Sequence, residues 1–166
     1  MITNPVSGQT VTFLSMTHEI LRTRFDVASG HASDPRHVHP LQTESISVIE
    51  GRIRCKLPDG GDSVLGPGDH WNIQPGSPHT WTAIDPQVTL RIDFRPAMRT
   101  RRFMTRLFGL ASAGKVNSKG IPNLLQVAVL GLEYQSEFRL ASPPWGVQKP
   151  ALTGVARVAR LLGYQP

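Results

Sequence analysis

The chain has 166 residues, of which 39% are hydrophobic and 18% charged, a balance that suits one folded domain with an extension and excludes a wholly disordered chain. A single cysteine, Cys55, excludes an intramolecular disulfide and any multi-cysteine zinc site. The net charge of +6 is uneven: residues 1–96 hold 8 Lys/Arg against 10 Asp/Glu, whereas residues 97–166 hold 10 against 2.

The charge step marks a boundary near Pro96, with one domain over 1–96 and a basic extension over 97–166. The first residues show no basic stretch followed by an apolar run, so no secretory signal is expected. The strongest apolar stretch, around Val127 to Leu132, is too short to cross a bilayer. A cytoplasmic protein is the expectation.

The first part reads as β. Val11 to Leu14 is short and β-prone. Leu21, Thr23 and Phe25 alternate with Arg22, Arg24 and Asp26, the period of a half-buried strand. Ser45–Ile49 and Arg52–Leu57 flank Glu50-Gly51, a tight-turn signal. Further turns are expected at Pro58–Asp62, Gly66–Asp69 and Pro75–Pro78, with strands at Trp71–Ile73 and His79–Ile84 after the last two. Val88–Phe94 closes the series with Val88, Leu90, Ile92 and Phe94 on one face. Many short strands between Gly/Pro turns predict a sandwich or barrel.

After Pro96 the pattern turns helical. Met98–Leu110 places Phe103, Leu107 and Leu110 on one stripe, beside arginines 99, 102 and 106. A second helix is expected from Pro122 to about Phe138. Ser142-Pro-Pro-Trp-Gly reads as a rigid break, and a third helix is expected over Ala151–Leu162.

Chemistry-bearing residues gather in the first part. His37 and His39 stand at i and i+2, which on an extended strand point the same way. Glu44 follows closely, and His79 comes forty residues later. Imidazoles and one carboxylate suit a divalent first-row transition metal.

These residues resemble the two motifs of the cupins, small antiparallel β-barrels of the double-stranded β-helix (jelly-roll) type. The first motif is matched by His37-Val-His39, Glu44 and Gly51, with the leading glycine one position early at Gly30. The second is matched by Gly68-Asp69 and by Pro75-Gly76-Ser77-Pro78-His79. Gln74 replaces a proline there, and Ala83 stands where asparagine is common. The resemblance covers about residues 10–96. It implies a mainly β fold with a small α-helical C-terminal extension, and His37, His39, Glu44 and His79 as metal ligands.

Plainer roles compete at several positions. A His-x-His pair alone is often surface decoration, and Glu44 could instead pair with Arg52 or Arg54. Trp81 shares the inward face with His79 and could line a substrate pocket or simply fill the barrel. Arg91 and Asp93 are further candidates to shape that pocket. His70 reads as a turn residue, His18 and His31 have no partner logic, and Cys55 reads as an inert strand residue. The cluster Arg99, Arg101, Arg102 and Arg106 reads as a solvated helix face, with membrane-surface contact as the alternative. Nucleic acid is disfavoured, because no helix-turn-helix or zinc finger is evident.

Two functions follow. One is a small-molecule metalloenzyme, dioxygenase- or isomerase-like, using iron, manganese, nickel or zinc in a His₃Glu site. No residue stands out as a general base, so the catalytic residues and reaction type stay open. The other is a non-catalytic ligand-binding or sensing module whose basic extension docks to a partner or a membrane surface. The resemblance also implies a homodimer, since cupins often pair through strands and extensions.

Overall fold

The structure, a computed structural model, describes residues 1–28 and 35–166. Gly30 and His31, singled out above, lie outside the described residues.

Strands β1 (Ile2–Asn4), β2 (Gln9–Met16), β3 (Leu21–Val27), β4 (His37–Val38), β5 (Thr43–Glu50), β6 (Ile53–Lys56), β7 (Asp62–Leu65), β8 (His70–Ile73), β9 (Thr80–Ala83) and β10 (Val88–Arg95) occupy the first part. Helices α1 (Thr100–Ser112), α2 (Leu124–Glu133) and α3 (Trp145–Leu161) follow, with the short strand β11 (Arg139–Leu140) between α2 and α3. The described pairings are antiparallel: a six-stranded sheet ordered β1-β2-β3-β10-β5-β8, a three-stranded sheet β7-β6-β9, and the pair β11-β4. The fold is a mainly β jelly-roll barrel with C-terminal helices.

Alternation explains the barrel. Leu21, Thr23, Phe25 and Val27 of β3 are buried while Arg22 and Arg24 are exposed. On β10, Leu90, Ile92 and Phe94 point into the core, paired with Phe25, Thr23 and Leu21 across β3 and with Val48, Ile46 and Glu44 across β5. Trp81, Ile53 and Cys55 from the opposite sheet close the same core. The period of two therefore turns Arg91 and Asp93 to the outer face, where they line a shallow polar cleft with Arg22, Ser47 and His70. That corrects the expectation that Arg91 or Asp93 shapes an interior pocket. Gly51 makes the β5–β6 turn at φ +72°, and a Cβ there would lie 2.3 Å from the Gln87 carbonyl oxygen, so only glycine fits.

The helical part is joined to the barrel by packing and by buried hydrogen bonds. Phe108 of α1 and Ala97 complete the barrel core. Gln42, fully buried, donates through its amide to the Pro96 carbonyl at 2.6 Å and to the Thr100 hydroxyl at 2.8 Å. Helices α2 and α3 pack through the small residues Ala128, Val129, Ala156 and Ala159.

Two helix boundaries differ from expectation. Helix α2 begins with Asn123 as its cap, whose side chain accepts from the Gln126 amide, but it stops at Glu133 rather than near Phe138. The chain beyond gains other partners: Glu137 binds Arg99, and β11 pairs with β4. Helix α3 begins at Trp145, six residues early, and contains Pro150. Its first turn is held by the buried Gln148 side chain, which donates to the carbonyls of Leu140 and Pro143.

Candidate metal centre

Four buried side chains from three places in the sequence meet inside the barrel. His37 opens β4, His39 follows that strand, Glu44 lies on β5, and His79 immediately precedes β9. Reciprocal backbone hydrogen bonds of 2.9 Å join His37 to His79. The turn over Gln74–Ser77 returns to the same place, where the Gly76 amide donates to the His39 carbonyl at 2.9 Å. Glu44 faces inward because it shares the face of Ile46 and Val48, opposite Phe94 and Ile73. Exposure is 4% for His37, 6% for His39, 3% for Glu44 and 0% for His79.

Each imidazole is oriented the same way. Nδ1 of His37 bonds the Pro35 carbonyl at 2.8 Å, Nδ1 of His39 the Glu137 carbonyl at 2.6 Å, and Nδ1 of His79 the Ser77 carbonyl at 2.8 Å. A carbonyl oxygen only accepts, so all three rings carry their proton on Nδ1. Nε2 is thereby aimed inward in each ring. Nε2 of His39 and Nε2 of His79 lie 2.9 and 3.0 Å from Glu44 Oε2, and Nε2 of His37 lies 3.1 Å from Nε2 of His39.

This convergence is costly for the protein alone. To satisfy Glu44, an Nε2 must take a second proton, which puts an imidazolium among buried imidazoles. Burial, with His39 and His79 nearby, lowers the His37 pKa from 6.5 to about 3. Burial works to raise the Glu44 carboxyl, but a doubly protonated His39 or His79, donating from Nε2, outweighs it and holds the group below the usual carboxylate range. A cation satisfies all four donors at once. The spacing fits one, since two ligands at right angles on bonds of ~2.1 Å stand about 3 Å apart.

The surroundings are aromatic. The Phe138 ring stacks on His37 at 4.7 Å and 23°, Phe94 meets His39 edge-on at 5.4 Å, and Trp71 meets His79 edge-on at 5.9 Å. Trp81 is 1% exposed and packs in the apolar core. Arg52 pairs with Asp85, not with Glu44. His70 is exposed and bonds Ser47 on the outer face, and His18 is exposed. Burial, assisted by the Glu44 charge, pushes the Cys55 thiol up to about 12, so it stays protonated.

Glu137 and Phe138 escaped the sequence reading. One signal was present: Glu133 and Glu137 are the only carboxylate side chains in residues 97–166, and Arg99 binds both.

The family model described as "Cupin domain" matches residues 23–92. Residues 23–92 are thus a cupin domain, and the barrel has the cupin fold. An RmlC-like cupin from Shewanella frigidimarina aligns with 24% identity over 61% of this chain and 87% of its own, with a TM-score of 0.54. KdgF from a Halomonas species aligns with 19% identity over 57% and 85%, with a TM-score of 0.53. A Klebsiella pneumoniae protein with a double-stranded beta-helix domain aligns with 20% identity over 54% and 74%, at 0.50. These likenesses show the fold. No curated protein matches the chain. Among the described residues, no helix is long and apolar enough to cross a membrane.

Proposed function

We propose that this chain is a metal-binding cupin that acts on a small molecule, with His37, His39, Glu44 and His79 holding one divalent transition ion such as iron, manganese, nickel or zinc. The observation that carries this reading is the common orientation of three imidazoles. Each spends Nδ1 on a backbone carbonyl and turns Nε2 toward the others or toward a Glu44 oxygen. Such orientation by an outer hydrogen bond is the usual support of a metal-binding histidine.

When bound, the ion supplies Lewis-acid polarisation of a substrate oxygen, or redox chemistry if it is iron. The chain's own residues do the rest. Burial keeps bulk water from the four side chains. Phe94, Phe138 and Trp71 surround the imidazoles with apolar ring surface, which strengthens electrostatic interactions inside. We assign the barrel of residues 1–96 the ligands, and residues 97–166 the closure of the site.

A dioxygenase- or isomerase-like reaction is our leading assignment. The second reading, a non-catalytic binding or sensing module, is favoured by the enclosure of the cluster, whose members are at most 6% exposed.

Elemental analysis of protein purified without a histidine tag tests the centre. About one transition ion per chain is expected, and His79→Ala should lose most of it. Equal metal in both proteins would remove His79 from the ligand set. Metal-dependent turnover of any small substrate separates the enzyme from the sensor.

A further inference from the structure

The outer supports of the three imidazoles are not equivalent. His37 and His79 each bond a carbonyl two residues away, at Pro35 and Ser77. Those acceptors belong to the ligands' own loops. The acceptor for His39 is Glu137, 98 residues further along the chain. The barrel orients two of its histidines locally and takes the support of the third from the extension.

The same short segment touches a second histidine. Phe138 lies nearly parallel to the His37 ring. Beyond it, Arg139 and Leu140 pair with Val38 and His37, and the Ala141 amide donates to the Arg36 carbonyl at 3.0 Å. Residues 137–141 therefore run alongside the His-x-His strand, which is also bridged to His79.

This segment is held by an ion pair between a buried carboxylate and an exposed arginine. The Glu137 residue is 1% exposed, yet its carboxylate points to Arg99 rather than to the histidines. Arg99 donates from its backbone amide at 3.3 Å and from Nε at 3.0 Å to Glu137 Oε1, and from Nη1 at 2.7 Å to Glu133 Oε1. Its guanidinium also sits 5.2 Å from the centre of the Tyr134 ring. One arginine at the start of α1 thus fixes both ends of the turn that follows α2.

We propose, on the reading of the four-residue cluster as a metal centre, that the extension completes that centre. The Glu137 carbonyl and the Phe138 ring are positioning groups for His39 and His37, and Arg99 holds both in place. The basic extension is then a working wall of the site and not an appended helical tail. Its single buried carboxylate clamp exists to place a main-chain carbonyl 2.6 Å from a ligand's Nδ1.

The test uses the full chain with Arg99→Met, Phe138→Ala and, as a control, Leu152→Ala, which thins the α2–α3 contact away from the cluster. Two readouts are taken. The first is ¹⁵N imidazole chemical shifts in metal-free protein. The unsubstituted chain should show all three rings protonated on Nδ1, and Arg99→Met should free His39 alone. The second is zinc or cobalt(II) affinity by chelator competition. Arg99→Met and Phe138→Ala should weaken it about 10–100-fold, the usual effect of losing an outer support. Leu152→Ala should stay within twofold, and the cobalt(II) absorption bands should shift only in the first two.

Phe138→Leu keeps most of the volume without the stacked ring and serves where Phe138→Ala does not fold. If His39 keeps its Nδ1 proton in Arg99→Met and affinity stays within twofold, the extension is not part of the centre, whatever the barrel binds. If His39 changes as expected but the unsubstituted chain takes up no metal, the metal reading falls while the support of His39 by the extension stands.

Discussion

The barrel and the extension solve the problem of burial differently. The barrel closes two sheets over large apolar side chains, with Trp81, Phe94, Leu21, Ile46 and Ile53 all but inaccessible. The extension packs α2 on α3 around alanines and a valine and α1 on α2 around Leu110, Leu130 and Tyr134, leaving Val147, Leu161 and Leu162 exposed. The buried centre of the α2–α3 contact is made of small residues, which bury less apolar area each than the large side chains of the barrel core. Charge follows the same division: the barrel is nearly neutral, while the extension carries ten cationic side chains and two carboxylates. The contrast teaches that the extension is anchored at a few points, namely Phe108, Thr100 with Gln42, and the Glu137 carbonyl with His39.

The barrel's independence breaks most directly at Trp81. Trp81→Ala should cost about 3–5 kcal/mol, the range for truncating a buried large aromatic residue. Urea denaturation of the metal-free protein measures it. A loss below about 1 kcal/mol, with ligand binding altered, would move Trp81 from the core to a pocket wall.

The joint is tested at Phe108, the residue through which α1 enters the barrel core. Phe108→Ala should cost about 3 kcal/mol, the lower part of the same range, since the side chain is 6% exposed. Two separate unfolding transitions in the parent protein would show that the two parts fold independently, and the comparison would then sharpen into two units.

The smallest effect is on pH. His37 is held neutral at about 3 in the folded protein, against 6.5 for a free histidine. The unfolded chain therefore binds the proton first. The stability of metal-free protein should be intact above about pH 6.5 and decline steadily as pH falls toward 3. Thermal unfolding at pH 7, 6 and 5 reads this, with a drop of a few degrees expected. A flat profile would mean that His37 is not buried neutral.

Much of the barrel was legible because its signal is local. Alternation at Leu21–Asp26 and at Val88–Phe94 fixes which side chain points inward, and glycine-containing turns separate the strands from β5 to β9. The strands that escaped are short: β1, β4, β7 and β11 have two to four residues and carry no periodic pattern. Pairing with distant partners defines them. The same holds for the end of α2, where the apolar pattern runs on but Glu137 and β11 find better partners elsewhere.

For the site, the sequence alone determined the ligand candidates. His37 and His39 at i and i+2, Glu44 shortly after, and His79 beyond a glycine-proline turn are chemistry written in spacing, because strand geometry converts spacing into a shared face. Only the tertiary structure decided which atom of each ring faces inward. That choice rests on the carbonyls of Pro35, Ser77 and Glu137, and a carbonyl has no side-chain signature. Two of those carbonyls are two residues from their histidines, and the third arrives from 98 residues away. Long-range contacts of that kind follow from packing the whole chain, so no local pattern in residues 97–166 announces them.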